Sequence, residues 1–216
     1  MSRSAHREAA EYFEQVLHVL SHLPETQHTR EQAIDLRLAL RTALSPSGNF
    51  ERVLAYLHEA EALAIAINDA HRLGQVLLFL AQLVSLRGAY DQAIAAAQRA
   101  LALATASGEG ALSALANAAL GGAAQARGDY RRAIDYYTQT VAFFDWARRR
   151  ERFGYVIPPA VTSRMILAQI YAELGMFAEG RALGDEGLRM AEAADHPGTL
   201  MAASWGAGFL PPSTSS

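Results

Sequence analysis

The sequence repeats one short pattern four times: Gly48-Asn-Phe-Glu-Arg-Val53, Gly88-Ala-Tyr-Asp-Gln-Ala93, Gly128-Asp-Tyr-Arg-Arg-Ala133 and Gly175-Met-Phe-Ala-Glu-Gly180. Each copy has a glycine, an aromatic residue two positions later and a small residue three positions after that. Successive glycines lie 40, 40 and 47 residues apart. A recurring period of this length is typical of a stacked array of similar units and not of one closed globule.

Each glycine separates two stretches with helical periodicity. Apolar residues recur at helical spacing before the turn, as at Leu77, Leu80, Ala81 and Val84, and again after it, as at Ala93, Ile94, Ala97, Ala100 and Leu101. A glycine in this place supplies the left-handed turn just past a helix C-terminus. The repeating unit is therefore a helical hairpin, in which we expect the aromatic residue to plug the closed end and the small residue to let the helices approach.

These hairpins resemble tetratricopeptide repeats, in a long form of about 40 residues. We expect the two helices of each hairpin to cross at a small residue, which is Ala81, Gly121 or Ala168 in three repeats and is replaced by Arg41 in the first full repeat. The second helix of the last repeat also departs from the pattern, with glycine at 180, 184 and 187. The resemblance implies an all-α fold, an α-solenoid of antiparallel helix hairpins wound into a right-handed superhelix.

The repeat predicts a single array over residues 1–210, followed by a disordered tail at 211–216. The expected full repeats cover 30–68, 71–107, 110–147 and 159–194, and the expected half repeats cover 5–23 and, after Pro197, 198–210. An array that begins and ends in mid-repeat exposes the apolar face of each terminal helix. The chain would then be a segment of a longer solenoid, or it would self-associate, as a homodimer, through its uncapped terminal helices.

Four further runs carry a more specific resemblance: Glu31-Gln-Ala-Ile-Asp-Leu-Arg37, Leu57-His-Glu-Ala-Glu-Ala62, Arg150-Glu-Arg-Phe-Gly154 and Ala191-Glu-Ala-Ala-Asp-His-Pro197. They are similar to the tetratricopeptide region that follows ATPase and adenylate or guanylate cyclase domains in large bacterial signalling proteins. The resemblance implies a bacterial signalling context. It implies no catalytic activity of this chain, since no ATPase or cyclase motif is present.

The composition excludes several classes of chemistry. The 216 residues include no cysteine, and all 19 basic residues are arginine. A disulfide framework, a thiolate nucleophile, a Walker A loop and a Schiff-base lysine are thereby excluded. A net charge of -3 argues against a nucleic-acid partner, which requires clustered cations. No apolar stretch reaches the ~18 residues of a membrane span, and the N-terminus lacks a signal peptide, so a cytoplasmic protein without membrane contact is expected.

Metal and catalytic motifs are weak in this sequence. His18 and His22 lie four residues apart with Glu14 one turn earlier, so they could share a metal ion, although an exposed, solvated pair is the commoner arrangement. His58-Glu59 begins a zincin motif that ends on Ala62 instead of histidine. We therefore expect no metal, no cofactor and no catalytic residue, and we predict that the chain is not an enzyme.

An arginine cluster occupies the insertion that lengthens the last repeat step. Arg148, Arg149, Arg150 and Arg152 could together bind a phosphate or an acidic partner, because guanidinium groups donate paired hydrogen bonds. The alternative is a favourable positive charge at a helix C-terminus followed by a solvated loop.

The tetratricopeptide resemblance implies that the first helix of each hairpin lines a concave groove. The groove residues would then be Leu38, Thr42, Gln75, Leu78, Gln82, Ser85, Leu115, Gln125, Met165 and Gln169. This lining is apolar and rich in amides, and it lacks the Lys, Arg and Asn by which related domains bind a C-terminal carboxylate. A neutral or amphipathic peptide or helix is the better ligand.

Three functional hypotheses follow. The leading one is a non-enzymatic scaffold module that binds a peptide, a helix or a neighbouring domain in its groove. The second is a small-molecule sensor whose uncharged ligand alters the curvature of the array. The third, an α-helical hydrolase or nucleotide enzyme, would require a buried, closely paired carboxylate and histidine in one pocket.

Overall fold

The computed structural model of the chain describes residues 3–45, 48–145, 150–155 and 157–193. Within these ranges the chain forms nine α-helices and no β-strand, which confirms the all-α prediction. The helices are α1 Arg3–Leu20, α2 Gln27–Leu44, α3 Phe50–Ala66, α4 Ala70–Leu86, α5 Tyr90–Ser107, α6 Gly110–Ala126, α7 Tyr130–Phe143, α8 Pro159–Glu173 and α9 Phe177–Ala193. None of them combines the length and the apolarity that crossing a bilayer requires. The predicted helix at 198–210 and the tail at 211–216 lie outside the described residues.

The four repeat glycines close the hairpins as the sequence predicts. Gly48, Gly88, Gly128 and Gly175 have φ angles of 69°, 77°, 76° and 77°, in the left-handed region that L side chains rarely adopt. Each lies within three residues of the end of one helix and the start of the next, except Gly48, which follows α2 by four residues.

The chain divides into two compact units, Met1–Leu112 and Ser113–Ser216, with the boundary inside α6. In unit 1, consecutive helices from α1 to α5 pack against each other. Its core includes the fully buried side chains of Ile34, Leu40, Leu57 and Leu77. In unit 2, α7 packs against α8 and α8 against α9, around the buried residues Tyr137, Phe144, Leu167, Ile170 and Met190.

The helix crossings use the small residues that the pattern indicates. Ala81 and Ala168 are buried, and a Cβ added to Gly121 would lie 2.9 Å from two ring carbons of Tyr137. Arg41, the predicted exception, fits because its guanidinium carbon lies 3.7 Å from the centre of the Phe79 ring. A cation above an aromatic face replaces the close approach of two small residues.

The expected aromatic plug is wrong at two of the four closed ends, because Phe50 and Phe177 are 42% and 46% exposed. Tyr90 and Tyr130 are half-buried, and Tyr130 packs against the buried cluster that includes Ala124 and Ala133. The small residue three positions later is buried in every copy, at Val53, Ala93, Ala133 and Gly180. The Phe50 and Phe177 rings remain largely in solvent.

Helix α7 ends at Phe143, whereas the sequence predicted a helix to 147. Phe144 leaves the helical conformation, with φ −91° and ψ 68°, and its ring is completely buried beside Phe143 and Phe153. Its carbonyl oxygen accepts a hydrogen bond from Arg164 at 2.8 Å. Burial of the ring and satisfaction of this carbonyl end the helix early.

Candidate functional site

The first helices of neighbouring repeats in unit 1, α2 and α4, are joined by charged and aromatic contacts. Both carboxylate oxygens of Asp35 accept hydrogen bonds from the Arg72 guanidinium, each at 2.9 Å. About two helical turns further along the same pair of helices, Arg41 covers the ring of Phe79. Paired hydrogen bonds of this kind fix the relative position of two helices better than a single contact does. Helices α2 and α4, the first helices of two neighbouring repeats in unit 1, are therefore held in a defined geometry.

Asp69 anchors the same arginine from the start of α4. Its carboxylate accepts the backbone N–H of Arg72 at 2.9 Å, as a helix N-cap, and the Arg72 guanidinium at 2.7 Å. Burial raises the pKa of the Asp69 carboxyl, but these hydrogen bonds outweigh it and bring the pKa below its ordinary value. Hydrogen bonds to Asp35 and then Asp69 raise the pKa of Arg72, which stays charged.

The predicted groove residues of unit 1 separate into two classes. The polar side chains reach solvent, because Thr42 and Gln82 are exposed and Gln75 and Ser85 are half-buried. Leu38 is also half-buried, whereas Leu78 is buried. The surface that a ligand could contact in unit 1 is therefore a polar strip of amide and hydroxyl groups with one apolar side chain.

At the N-terminal end of this strip, Gln75 is joined to a histidine. The Nε2 atoms of His71 and Gln75 lie 2.9 Å apart, and Nδ1 of His71 contacts Oε2 of Glu109, the residue that precedes α6. The hydroxyl of Ser107 donates to the other oxygen of Glu109 at 3.1 Å. The sequence patterns did not single out His71, Arg72 or Glu109.

A signal for these residues is present in the sequence in hindsight. The pairs Asp35–Arg72 and His71–Glu109 join residues 37 and 38 positions apart, and Glu61–Arg99 also spans 38. Arg52 pairs with Glu14 at the same offset, in a contact that also includes the Tyr56 hydroxyl. Opposite charges 37 or 38 residues apart, close to the 40-residue spacing of the glycines, are the sequence signal for these pairs.

In unit 2 the predicted groove residues behave in the same way. Leu115 and Met165 are buried, whereas Gln125 and Gln169 are half-buried. The Gln169 amide donates to Glu173 at 3.0 Å along α8. Met165 contacts the backbone of α9, where a Cβ added to Gly187 would lie 2.7 Å from its sulfur. This methionine packs between helices.

The arginine cluster is only partly described. Arg148 and Arg149 lie outside the described residues, and Arg152 has contacts within the chain. Arg150 donates to the carbonyl oxygen of Ala193, the last residue of α9, at 3.0 Å. The positive charge therefore meets a helix C-terminus, as one of the two interpretations had it, although the helix is α9 and not α7. Contact of the cluster with an anionic partner stays a prediction.

His18 lies near the end of α1 and His22 lies two residues past it, so the two histidines are not on one helix as the sequence predicted. The rings of His18 and His22 meet edge to face at 4.7 Å, and Nδ1 of His22 lies 2.8 Å from the carbonyl oxygen of His18. The carboxylate of Glu14 is bound to Arg52 and Tyr56 on α3. Across the described ranges, no group of three or more Asp, Glu or His side chains is placed to hold a metal ion.

Contacts recur 37 or 38 residues apart, close to the 40-residue repeat, and this agrees with the comparison to known families. Residues 74–145 match the family model of the tetratricopeptide repeat. The match runs from within α4 to just beyond α7 and includes the turns at Gly88 and Gly128. No curated protein shows a significant sequence match to the chain.

Several solved structures are similar in fold. A Rap protein complexed with Competence and Sporulation Factor has a TM-score of 0.78 and 17% identity, and the alignment covers 93% of this chain and 53% of that one. BtubC (BKLC) from P. vanneervenii has a TM-score of 0.67 and 15% identity, over 96% of this chain and 83% of that one. Aspartyl phosphate phosphatase F from Bacillus subtilis has a TM-score of 0.71 and 16% identity, over 91% of this chain and 49% of that one.

These similarities establish the fold class. At 15–17% identity they show the fold alone, and they confirm an all-α repeat solenoid like that of tetratricopeptide proteins. The chain spans about half the length of the Rap protein and of phosphatase F, with coverage of 53% and 49%.

Proposed function

We propose that the chain is a non-enzymatic interaction module of a bacterial signalling or regulatory system in the cytoplasm. Its ligand is a peptide, a helix or a neighbouring domain, bound on the first helices of the repeats. The observation that carries this proposal is the polar strip of unit 1, in which Gln75, Gln82, Thr42 and Ser85 reach solvent beside Leu38.

The chemistry of the strip suits a polypeptide ligand. A glutamine amide both donates and accepts, so it can satisfy the N–H and C=O groups of a bound backbone. The partly exposed Leu38 offers an apolar contact on α2. The offset of 37 residues that joins Asp35 to Arg72 brings Gln75 to the level of Leu38, so an apolar and an amide contact lie side by side.

The rigidity of the two helices supports binding. The Asp35–Arg72 and Arg41–Phe79 contacts hold α2 and α4 together before any ligand arrives. A preformed surface binds more tightly than a mobile one, because less conformational entropy is lost on association.

The charged groups beside the strip position the repeats, as a scaffold requires. Asp35 and Asp69 are both bound to Arg72, and Glu109 is bound to His71 and Ser107. The Asp35–Arg72 pair joins α2 to α4, and the His71–Glu109 pair joins α4 to the residue before α6. These contacts fix one repeat against the next.

The similar solved structures agree with this direction. One of them is a Rap protein complexed with Competence and Sporulation Factor, so a closely similar fold is known with a bound factor. Another is an aspartyl phosphate phosphatase, of which this chain spans 49%. We infer the scaffold function from the first of these and from the strip itself, and we do not propose a phosphatase activity for this chain.

Matched arginine substitutions test the proposal. Gln82→Arg places a long cation on the exposed strip of α4, and Gln98→Arg makes the same change on the exposed side of α5, a second helix. Wild type and both variants are used as bait in the lysate of the source organism, and bound proteins are quantified by mass spectrometry. Proteins that Gln82→Arg loses and Gln98→Arg keeps are ligands of the strip.

Two other results would contradict the proposal. Equal capture by all three baits would reject the strip as the binding surface. Stabilisation of the isolated chain by an uncharged metabolite in a thermal-shift screen, without any protein partner, would favour the small-molecule sensor instead.

A further inference from the structure

His71 links the strip to the next repeat within unit 1. Its Nδ1 contacts the Glu109 carboxylate, and its Nε2 lies 2.9 Å from the amide nitrogen of Gln75. Glu109 is fixed from its other side by the Ser107 hydroxyl at 3.1 Å. Half of the His71 side chain is open to solvent, with 55% exposure, so protons reach it freely.

These contacts define the form of the imidazole. An ionised carboxylate only accepts hydrogen bonds, so Nδ1 of His71 must carry a hydrogen and donate it in a hydrogen bond to Glu109. An amide nitrogen only donates, so Nε2 must be the unprotonated atom that accepts from Gln75. With the Gln75 amide in this orientation, the hydrogen-bond network assigns the neutral Nδ1–H tautomer to His71, and the Oε1 atom of Gln75 is left for another partner.

Protonation of His71 reverses the second contact. The imidazolium ion donates from both nitrogens, so Nε2 can no longer accept from the Gln75 amide. A half-turn of the amide brings its Oε1 to His71 and restores the hydrogen bond. The NH2 group of Gln75 then takes the place of the oxygen, and the strip offers a donor where it offered an acceptor.

We propose that His71 is the positioning residue for Gln75 and that its protonation decides whether the strip presents an acceptor or a donor to a bound polypeptide. The proposal deepens the proposed function and rests on it, since Gln75 belongs to the strip. The geometry that carries the proposal is the chain of contacts from Glu109 through His71 to Gln75.

The charged groups around His71 come from three elements. Glu109 precedes α6, Asp69 and Arg72 lie at the start of α4, and Asp35 reaches Arg72 from α2. Arg72 is shared between two of the three carboxylates, whereas Glu109 faces the imidazole directly. The Glu109 contact therefore selects the tautomer.

Nuclear magnetic resonance of the full, ligand-free chain tests the proposal. Long-range proton–nitrogen correlations report the tautomer of His71, and the side-chain amide signals of Gln75, assigned by their loss in Gln75→Ala, report its orientation. Between pH 8 and 5 we expect a neutral Nδ1–H form at the upper end and a Gln75 amide shift that follows the same titration curve as the His71 ring.

Three variants separate positioning from general effects of pH. His71→Asn should abolish the pH response of the Gln75 amide. His58→Asn should leave it intact, because His58 faces Glu61 on α3 at 3.6 Å. Glu109→Ala should remove the preference for the Nδ1–H form, because it removes the acceptor, and it acts at a partly exposed side chain even if His71→Asn were to unfold the chain.

A Gln75 amide that does not move while His71 titrates would overturn the proposal, as would a neutral Nε2–H tautomer. Neither result depends on a ligand. Failure of the capture experiment with Gln82→Arg would reject the proposed function and leave these spectra unaffected, so the two failures are distinguishable.

Discussion

Arg164 carries its charge into the interior of unit 2, where only 3% of its surface is exposed. One of its nitrogens donates to the carbonyl oxygens of Phe144 and Ala160 at 2.8 and 3.0 Å, and another pairs with Glu186 on α9 at 3.1 Å. A buried cation is tolerated only when acceptors replace the water that it loses. This side chain therefore ties the end of α7 to α8 and α9.

Replacement of Arg164 by methionine keeps much of the volume and removes the donors. The carbonyl of Phe144 and the carboxylate of Glu186 would lose their partner, and we expect the free energy of unfolding to fall by about 3 kcal/mol. Urea denaturation measures the change. Arg189→Met on the exposed side of α9 is the control and should alter stability by no more than about 0.5 kcal/mol. Equal effects of the two variants would contradict the role of Arg164.

Gly121 allows α6 and α7 to approach within unit 2. Alanine at this position would place its Cβ 2.9 Å from two carbons of the buried Tyr137 ring, which is rigid, and 3.3 Å from the Cβ of Tyr136. We expect Gly121→Ala to lower stability by about 2 kcal/mol, despite the better helix propensity of alanine. The neighbouring Gly122→Ala is the control, because its Cβ would meet only the Tyr137 hydroxyl, at 3.3 Å. Thermal unfolding of both variants should rank Gly121→Ala as the less stable.

Asp69 gives a pH dependence of known sign. Its pKa is lower in the folded chain than in the unfolded chain, so the folded state binds this proton less readily. The stabilisation is complete above about pH 4 and is lost as the pH falls through the lower folded value. Asp69→Asn should therefore cost most stability near neutral pH, with the difference from wild type shrinking towards pH 2 in urea titrations. In an Arg72→Met background the substitution should show little of this dependence, and a dependence that persisted would point to another partner.

At the scale of helices, the sequence predicts the turns and the crossings better than the surfaces. A left-handed glycine and a small residue at a crossing are local requirements, so Gly88 and Ala81 can be recognised from their neighbours alone. Leu78 and Met165 were assigned to the groove but are buried. One position on a helix turns the side chain by about 100°, so a long apolar side chain at the edge of the groove can pack inward while an amide stays in water.

Helix α9 is the element for which the sequence predicts the weakest local structure. Gly180, Gly184 and Gly187 are all buried, and Gly187 admits Met165 of α8, so the glycines serve close packing. Each nevertheless costs about 1 kcal/mol relative to alanine, because glycine loses more backbone entropy in a helix. We expect faster amide hydrogen exchange across residues 178–194 than across 90–107, measured by mass spectrometry of the native chain. Equal protection would mean that packing against α8 fully offsets the entropy of the glycines.

At the scale of the whole molecule, the first helix has an outer face without a described neighbour. Tyr12 and Val19 are 62% and 61% exposed on that face, whereas Phe13 and Leu17 on the inner side are half-buried. We expect dimers that form with increasing concentration, detected by light scattering. Tyr12→Ser with Val19→Ser should weaken them, and Ile65→Ser on α3, at an exposed apolar residue, should not. A monomer at all concentrations would refute self-association.

The contacts of Arg41 and Arg164 could not be predicted from the periodic pattern, because they join residues that are distant in sequence and are not opposite charges 37 or 38 residues apart. Arg41 departs from the pattern of small residues, and only the position of Phe79, one repeat later, explains why a cation fits there. Arg164 likewise depends on Phe144 and Glu186, which lie on either side of it in the chain. Periodicity describes each helix, whereas these pairs depend on how neighbouring helices are matched.

The spacing of these pairs bears on how such a chain can lengthen. In unit 1, Glu61–Arg99 and His71–Glu109 each join residues 38 positions apart. Equivalent turns recur every 40 residues, at Gly48, Gly88 and Gly128, so a tandem duplication of 40 residues can copy both partners of such a pair. An insertion of another length would place unmatched side chains against each other. Copy number can therefore change by gene duplication without the invention of a new interface.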